Sequence, residues 1–287
     1  MSADALAEII DLYDRDAARY QEWWAPVIAP AALHLLDLVA PAVTDRPAAR
    51  VVDVGAGTGT LARAAVARWP DLLVTAVDPS RGMLAVGEGE AARTLRPADA
   101  DRLEWRAGVA ERLPLEDGAA DAVVSSFAFQ YLPSRIAALR EAHRVLRPGG
   151  IVAVVTWLAA DWPFAPWDLY EEVIRELRLE RPAGGRSTTR PFRSPSAAAA
   201  LVRRAGFRQA HGSQGAVEKE WTLDDYVATT FESEDRDFVA TLDPPVRERL
   251  EARWRDRLAE LEPSAFHYRD PIVYVTGRRP APIGQAT

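Results

Sequence analysis

The segment Arg50–Leu61, RVVDVGAGTGTL, constrains this chain more than any other stretch of it. Val51-Val52-Asp53-Val54 is short and rich in β-branched residues, the pattern of a buried strand. Gly55, Gly57 and Gly59 follow at alternate positions, and Leu61 to Trp69 has the composition of a helix. A strand, a glycine turn and a helix in that order form a cradle for a nucleotide. Glycine lets the backbone take positive φ and lets a ligand come close. The new helix presents amides that have no partner within it.

The chain goes on alternating strands with helices. Leu72–Val77, Leu103–Ala107, Asp121–Ser126 and Ile151–Trp157 read as strands. Ser80–Arg93 and Pro133–Leu146 read as helices, the second stopped by Arg147-Pro148-Gly149-Gly150. This alternation implies an α/β fold with a Rossmann-like, doubly wound, mostly parallel sheet over 46–157. Residues 1–45 read as a helical cap, with Leu6, Ile9, Ile10, Tyr13, Ala17 and Tyr20 near helical spacing and Pro26, Pro30 and Pro41 punctuating the chain after them. An acceptor-side segment, 158–221, holds a Pro/Gly/Ser/Arg-rich loop and a sixth strand, Phe207–Trp221, expected to be frayed or bulged in its middle. A charged helical insertion, 222–264, and a last strand, Pro271–Gly277, within 265–287 complete the chain. The reading is one structural domain with a helical cap and a lid.

Composition narrows the chemistry. A net charge of −7 argues against a dominant electrostatic grip on nucleic acid or acidic membrane. Cysteine is absent, which excludes disulfides, thiolate metal sites and a cysteine nucleophile. Lys219 is the only lysine, so Schiff-base chemistry has almost no candidate. No His/Asp/Glu spacing suggests a metal. Asp4, Glu8, Asp11, Asp14 and Asp16 crowd the N-terminus, unlike a signal peptide or anchor, and the expected location is cytoplasmic.

Four features address which nucleotide the cradle holds. Asp53 lies inside the strand, where a carboxylate is awkward unless it orders the loop or meets an ammonium group. Thr60 stands where a dinucleotide fingerprint needs its third glycine. Asp78 ends the second strand, where an acid can take both hydroxyls of a ribose. Gly108-Val109-Ala110-Glu111-Arg112-Leu113-Pro114 follows the third strand, and Asp121 opens the fourth.

With Arg144 to Gly150 before the fifth strand and Ala205-Gly206-Phe207 before the sixth, this ordered set resembles the class I S-adenosylmethionine-dependent methyltransferases. It is most similar to the group that includes the ubiquinone and menaquinone C-methyltransferases and many small-molecule O- and N-methyltransferases. The resemblance implies a seven-stranded sheet whose last strand runs antiparallel, and S-adenosyl-L-methionine as cofactor, released as S-adenosyl-L-homocysteine. It places Asp53, Gly55, Ala56, Gly57 and Gly59 at the methionine end, Asp78 on the ribose diol, and Pro79 and Met83 beside the adenine. It has Ala110 offering its amide to the ring, with Glu111 nearby. Ser126 and Phe127 line the floor, and Tyr20 resembles a tyrosine that closes over the cofactor. Val109 departs from the Asp or Asn that relatives often carry to accept from the adenine amino group.

Each of these residues also has an ordinary reading. Asp53 can be a satisfied structural carboxylate, Asp78 a helix N-cap, and Met83 and Tyr20 core. His211 and His267 lie near the expected acceptor side and are candidate bases. Gln130 and Tyr131 are candidates for either catalysis or the acceptor pocket. Trp157, Trp162 and Trp167 are candidates to line that pocket, beyond the fifth strand. No strong base stands out, which suits in-line methyl transfer to a small, partly apolar acceptor through O, N or C. The alternatives are a nicotinamide-dependent oxidoreductase, disfavoured by Thr60 and Asp53, and a non-catalytic cofactor-binding module.

Overall fold

The computed structural model describes residues 3–160, 163–181 and 191–281, the side chains from residue 6 onward. Two compact units share the chain. One comprises Met1–Ala160, Thr188–Ala216 and Pro271–Thr287; the other comprises Asp161–Ser187 and Val217–Asp270. The segment read as 158–221 is therefore divided between them.

The first unit opens with a nearly unbroken helix: α1 (Ala3–Arg19), a π turn (Tyr20–Trp24) and α2 (Ala25–Val43). The π turn has a local cause. Pro26 has no N–H to give the Glu22 carbonyl, and the Ala25 amide instead reaches back to the Tyr20 carbonyl. Pro30 and Pro41 lie inside α2 rather than ending it. The buried face of α2, with Leu35 and Val39 fully inaccessible, supplies packing that offsets the cost of both. By length and apolar composition Leu6–Val43 would suffice to cross a bilayer. In this fold half of its most apolar window is buried inside the protein, and Tyr274 Oη donates to the Ala31 carbonyl at 3.1 Å.

The sheet and its covering helices follow: β1 (Arg50–Val54), α3 (Thr60–Arg68), β2 (Leu73–Asp78), α4 (Arg81–Thr94), α5 (Pro97–Ala100), β3 (Leu103–Ala107), β4 (Ala120–Ser126), α6 (Arg135–Val145) and β5 (Leu146–Trp157). Later come α7 (Ala165–Glu176), α8 (Pro195–Arg204), β6 (Arg208–Glu220), α9 (Leu223–Thr229), α10 (Arg236–Val239), α11 (Pro244–Leu258) and β7 (His267–Arg278). Seven strands lie in the order β3-β2-β1-β4-β5-β7-β6. β1 to β5 pair in parallel, and β7 runs antiparallel to β5, from Ile151↔Arg278 to Trp157↔Ile272. This is the doubly wound architecture expected. β1 and β4 are buried along almost their whole length, as central parallel strands covered on both faces are.

Two local expectations change. The Arg147-Pro148-Gly149-Gly150 stop is taken into β5: the register with β4 jumps from Ala120↔Leu146 to Ala122↔Ile151, and Gly149 supplies the positive φ (+81°) that the bulge needs. β6 is one continuous strand rather than a frayed one; at Gly215 a Cβ would come within 2.7 Å of the Tyr274 ring, so glycine lets β6 close on β7.

The second unit, residues 161–187 and 217–270, has an aromatic core. Trp254 stacks on Phe231 at 6.0 Å and tilts against Tyr170 at 4.7 Å, and its Nε1 donates to the Pro166 carbonyl. The 222–264 helical reading resolves here into α9, a second π turn (Thr230–Glu234), α10 and α11.

Candidate active site

The order β2-β1-β4 reverses the direction of winding, and in open α/β sheets the crevice for ligands lies outside the strand carboxyl ends at that point. A half-open cleft occupies it. Its walls come from the ends of β1 to β4, from the segment after β4, and from one face of α1.

The glycine loop builds one wall. Gly55, Gly57 and Gly59 all take positive φ, +69°, +55° and +72°. Gly57 N–H donates to Asp78 Oδ2 at 2.8 Å, which ties the loop to the end of β2. Ser80 N–H donates to Asp78 Oδ1 at 2.9 Å. Asp78 is thus held at both oxygens by backbone, facing the cleft. It is not the N-cap of α4: Ser80 is, its Oγ accepting from Met83 N–H at 3.0 Å.

Asp53 lies under the loop. It is 1% exposed, and neither carboxylate oxygen has a hydrogen-bond partner. Burial pushes this carboxyl up to about 7, and the nearby Asp78 charge pushes the same way; the Ala62 amide of α3 opposes them without reaching hydrogen-bond geometry. Asp78 is raised to about 6, again chiefly by burial, with the Ser80 and Gly57 amides pulling it down. Two buried acids therefore sit at the sheet's switch point, and among the described residues no Lys, Arg or His lines the cleft. Such a site is a poor host for an anion and a good one for a cation that also carries a ribose.

Of the residues singled out from sequence, the cleft brings together Tyr20, Gly55, Gly57, Asp78, Pro79, Met83, Val109, Ala110, Glu111, Ser126, Phe127 and Tyr131. Phe127 is a non-glycine at φ +52°, a conformation costing about 1–3 kcal/mol. Its amide donates to the Val155 carbonyl at 2.8 Å, so the β4–β5 ladder imposes the twist that turns its ring into the wall. Glu111 accepts from Ser134 N–H at 3.2 Å. Ala56 lines a smaller neighbouring cleft with Ala25 and Ile28, across the loop and beside Tyr20. Gly59 and Asp53 line neither. A Cβ on Gly59 would come within 2.2 Å of Trp105, so that glycine serves packing of the loop on β3.

The acceptor-side candidates are more scattered. Gln130 turns inward: it is 2% exposed and its Oε1 accepts from the buried Thr156 hydroxyl. Trp157 packs on Phe127 at 4.7 Å and on Trp24 at 6.4 Å, outside the cleft wall. Trp167 belongs to the second unit, against Tyr170, and Trp162 lies outside the described residues. His211 is exposed on β6. His267 is exposed in the second unit, 3.4 Å from Glu220. Neither histidine lines the cleft.

The sequence reading missed one wall. Leu6, Ile9, Ile10 and Tyr13, the i, i+3, i+4, i+7 face of α1, line the cleft. Their spacing marked an apolar face; nothing local said what it covers. Tyr13 Oη donates to Tyr131 Oη at 2.9 Å, and Tyr13 stands edge-on to both Tyr20 and Tyr131. Burial raises the Tyr13 and Tyr20 phenols well above their ordinary value.

A family model described as a methyltransferase domain matches residues 52–154. Among curated proteins, the chain is 38% identical over 161 residues to a malonyl-[acyl-carrier protein] O-methyltransferase of Geobacter sulfurreducens, covering 56% of each chain. It is 34% identical over 189 residues to the ubiquinone/menaquinone biosynthesis C-methyltransferase UbiE of Methylobacterium nodulans, covering 61% of this chain and 73% of that one. Against the first of these, the chain therefore spans little more than half of the relative's length. Among solved structures, the [4+2]-cyclase SpnF superposes with a TM-score of 0.55 at 20% identity, over 87% of this chain and 82% of that one. At that identity the likeness speaks for fold alone.

Proposed function

The chain belongs to the UbiE-like class I S-adenosylmethionine-dependent methyltransferases, and on that premise we propose that it methylates a small, partly apolar acceptor at O, N or C, using the cleft at the carboxyl ends of β1 to β4. The carrying observation is the unpartnered, buried Asp53 beneath a positive-φ glycine loop, behind a cleft that Asp78 lines and whose described walls hold acids and no bases. These residues fit the cofactor. Asp78 would hold the ribose diol, and Pro79, Met83, Val109 and Ala110 would flank the adenine. Gly55 and Gly57, with Asp53 behind them, would take the cationic methionine end. When bound, S-adenosylmethionine supplies a methyl group on a positively charged sulfur, a good leaving group.

What remains for the protein is alignment and exclusion of water. Leu6, Ile9 and Ile10 supply an apolar wall, and Phe127 an aromatic one. Tyr13 donates to Tyr131, which leaves the Tyr131 proton free to donate to a lone pair of the acceptor. Phenols raised by burial stay protonated at neutral pH, so Tyr13 and Tyr20 do not serve as bases. The reading therefore needs an acceptor that is already nucleophilic: an ionised phenol or enol, an electron-rich carbon or a neutral amine. The test is labelled-methyl transfer from S-adenosylmethionine to panels of phenols, quinols and amines. Transfer to one class, lost in Asp78→Ala, supports the proposal; NAD(P)-dependent oxidation with no methyl transfer contradicts it.

A further inference from the structure

α1 packs along α4, and one of its side chains bonds directly to the turn that opens α4, the turn assigned above to the ribose and adenine. Asp14 Oδ1 accepts from both Ser80 Oγ and Gly82 N–H, each at 2.7 Å. Ser80 and Gly82 open α4, and Ser80 is also the residue whose amide fixes Asp78 Oδ1. A continuous chain of bonds thus runs from α1 through Ser80 to Asp78 and on to the Gly57 amide. Gly82 records the same contact independently. Its φ is not positive, and nothing in its own helix calls for glycine. A Cβ there would lie 2.3 Å from the Asp14 carbonyl oxygen. That approach is closed to every other residue, although glycine is poor inside a helix. Close docking of α1 is what position 82 is built for.

The adjoining links agree. Tyr13, next to Asp14, bonds Tyr131 across the cleft, and Gln21 accepts from Thr58 Oγ1 in the glycine loop at 2.5 Å. The Asp14 carboxyl is held below its usual range chiefly by the Gly82 amide and then by Ser80.

We propose that Asp14 is a positioning residue of the cofactor site: docked on Ser80 and Gly82, it holds α1 in place as the wall that completes the nucleotide pocket and fixes the Asp78–Met83 loop. The inference rests on Asp78 being the ribose ligand. The chain's own residues thereby couple cofactor affinity to the position of a helix that carries no cofactor motif.

The experiment is calorimetric titration of S-adenosylhomocysteine into wild type, Asp14→Ala, Asp14→Asn, Gly82→Ala and Asp78→Ala, with trypsin cleavage at Arg15 and Arg19 followed with and without ligand. Loss of two hydrogen bonds to one carboxylate oxygen predicts about tenfold weaker binding in Asp14→Ala. Asp14→Asn keeps an acceptor oxygen and recovers most of that. Gly82→Ala favours α4 as a helix yet weakens binding, because it blocks docking. Ligand suppresses α1 cleavage in wild type and fails to do so in Asp14→Ala and Gly82→Ala. Where an acceptor is in hand, KM for the donor rises while kcat holds. If Asp78→Ala weakens binding and Asp14→Ala and Gly82→Ala match wild type within twofold, the inference fails and the cofactor reading stands. If Asp78→Ala also binds as wild type, the ribose reading itself fails. Equal losses in Asp14→Ala and Asp14→Asn assign the effect to charge at the α4 N-terminus and overturn the positioning role. Should Asp14→Ala not fold, Asp14→Asn and Gly82→Ala decide on the same criteria.

Discussion

Two carboxylates carry most of the site's physics. Asp53 and Asp78 are both raised, to about 7 and about 6. Between the ordinary carboxylate range and those values the folded chain holds more protons than the unfolded one, so stability without ligand falls as pH rises through that window. Asp53→Asn removes the larger part of this slope. We expect thermal melts of the variant without ligand to be flatter than wild type from pH 5 to 8, and its midpoint to lie higher at pH 8. A cationic ligand reverses the preference by ionising both acids. Cofactor affinity should therefore weaken as pH falls from 8 to 5.5, and binding at pH 6.5 should release protons, read as a dependence of calorimetric heat on buffer ionisation enthalpy. Asp78→Ala should cost about 1.5–3 kcal/mol of cofactor affinity, one to two decades. Val109→Asp tests the adenine edge. Glu111 is already engaged by the Ser134 amide, so an added acceptor at 109 should tighten S-adenosylhomocysteine binding; no gain would mean that the amino group is already satisfied.

At the scale of elements, local chemistry was legible and long-range covering was not. Gly55-x-Gly57-x-Gly59 announced its turn because only glycine sits easily at φ +55° to +72°. The strands β1 to β5 follow from short-range composition, whereas the α4 cap does not: Asp78 and Ser80 both suit an N-cap, and Ser80 takes it. The Arg147–Gly150 bulge was hidden because proline and glycines stop a helix and kink a strand alike. α2 was misread as punctuated because proline in a helix is disfavoured locally, and its burial against the sheet is a tertiary gain. The α1 face was visible as a period, yet its partner lies more than a hundred residues away at Tyr131. Gln130 and the tryptophans show the same limit: their types suit a pocket or a core equally. Gln130, in the turn after β4, bonds Thr156 near the end of β5. We expect Gln130→Ala to destabilise the fold by about 1–3 kcal/mol through an orphaned buried hydroxyl, measured by urea unfolding, with cofactor affinity unchanged.

Across the whole molecule, the chain divides into a unit that carries the glycine loop and its cleft and a second, aromatic-cored one. The first unit follows its ordered motifs closely. The second offers no motif, because aromatic residues at helical spacing describe a core and leave its purpose open; the acceptor is correspondingly the least legible feature. Fold alone does not decide the chemistry, since a cyclase superposes on it as well as methyltransferases do. The central claim concerns the donor, and a calorimetric titration of S-adenosylhomocysteine at pH 8, beside NAD and NADP, tests it most directly. One S-adenosylhomocysteine per chain, weakened by at least tenfold in Asp78→Ala, with neither dinucleotide bound, is the result this account predicts. Saturable dinucleotide binding, or S-adenosylhomocysteine affinity indifferent to Asp78, would contradict it.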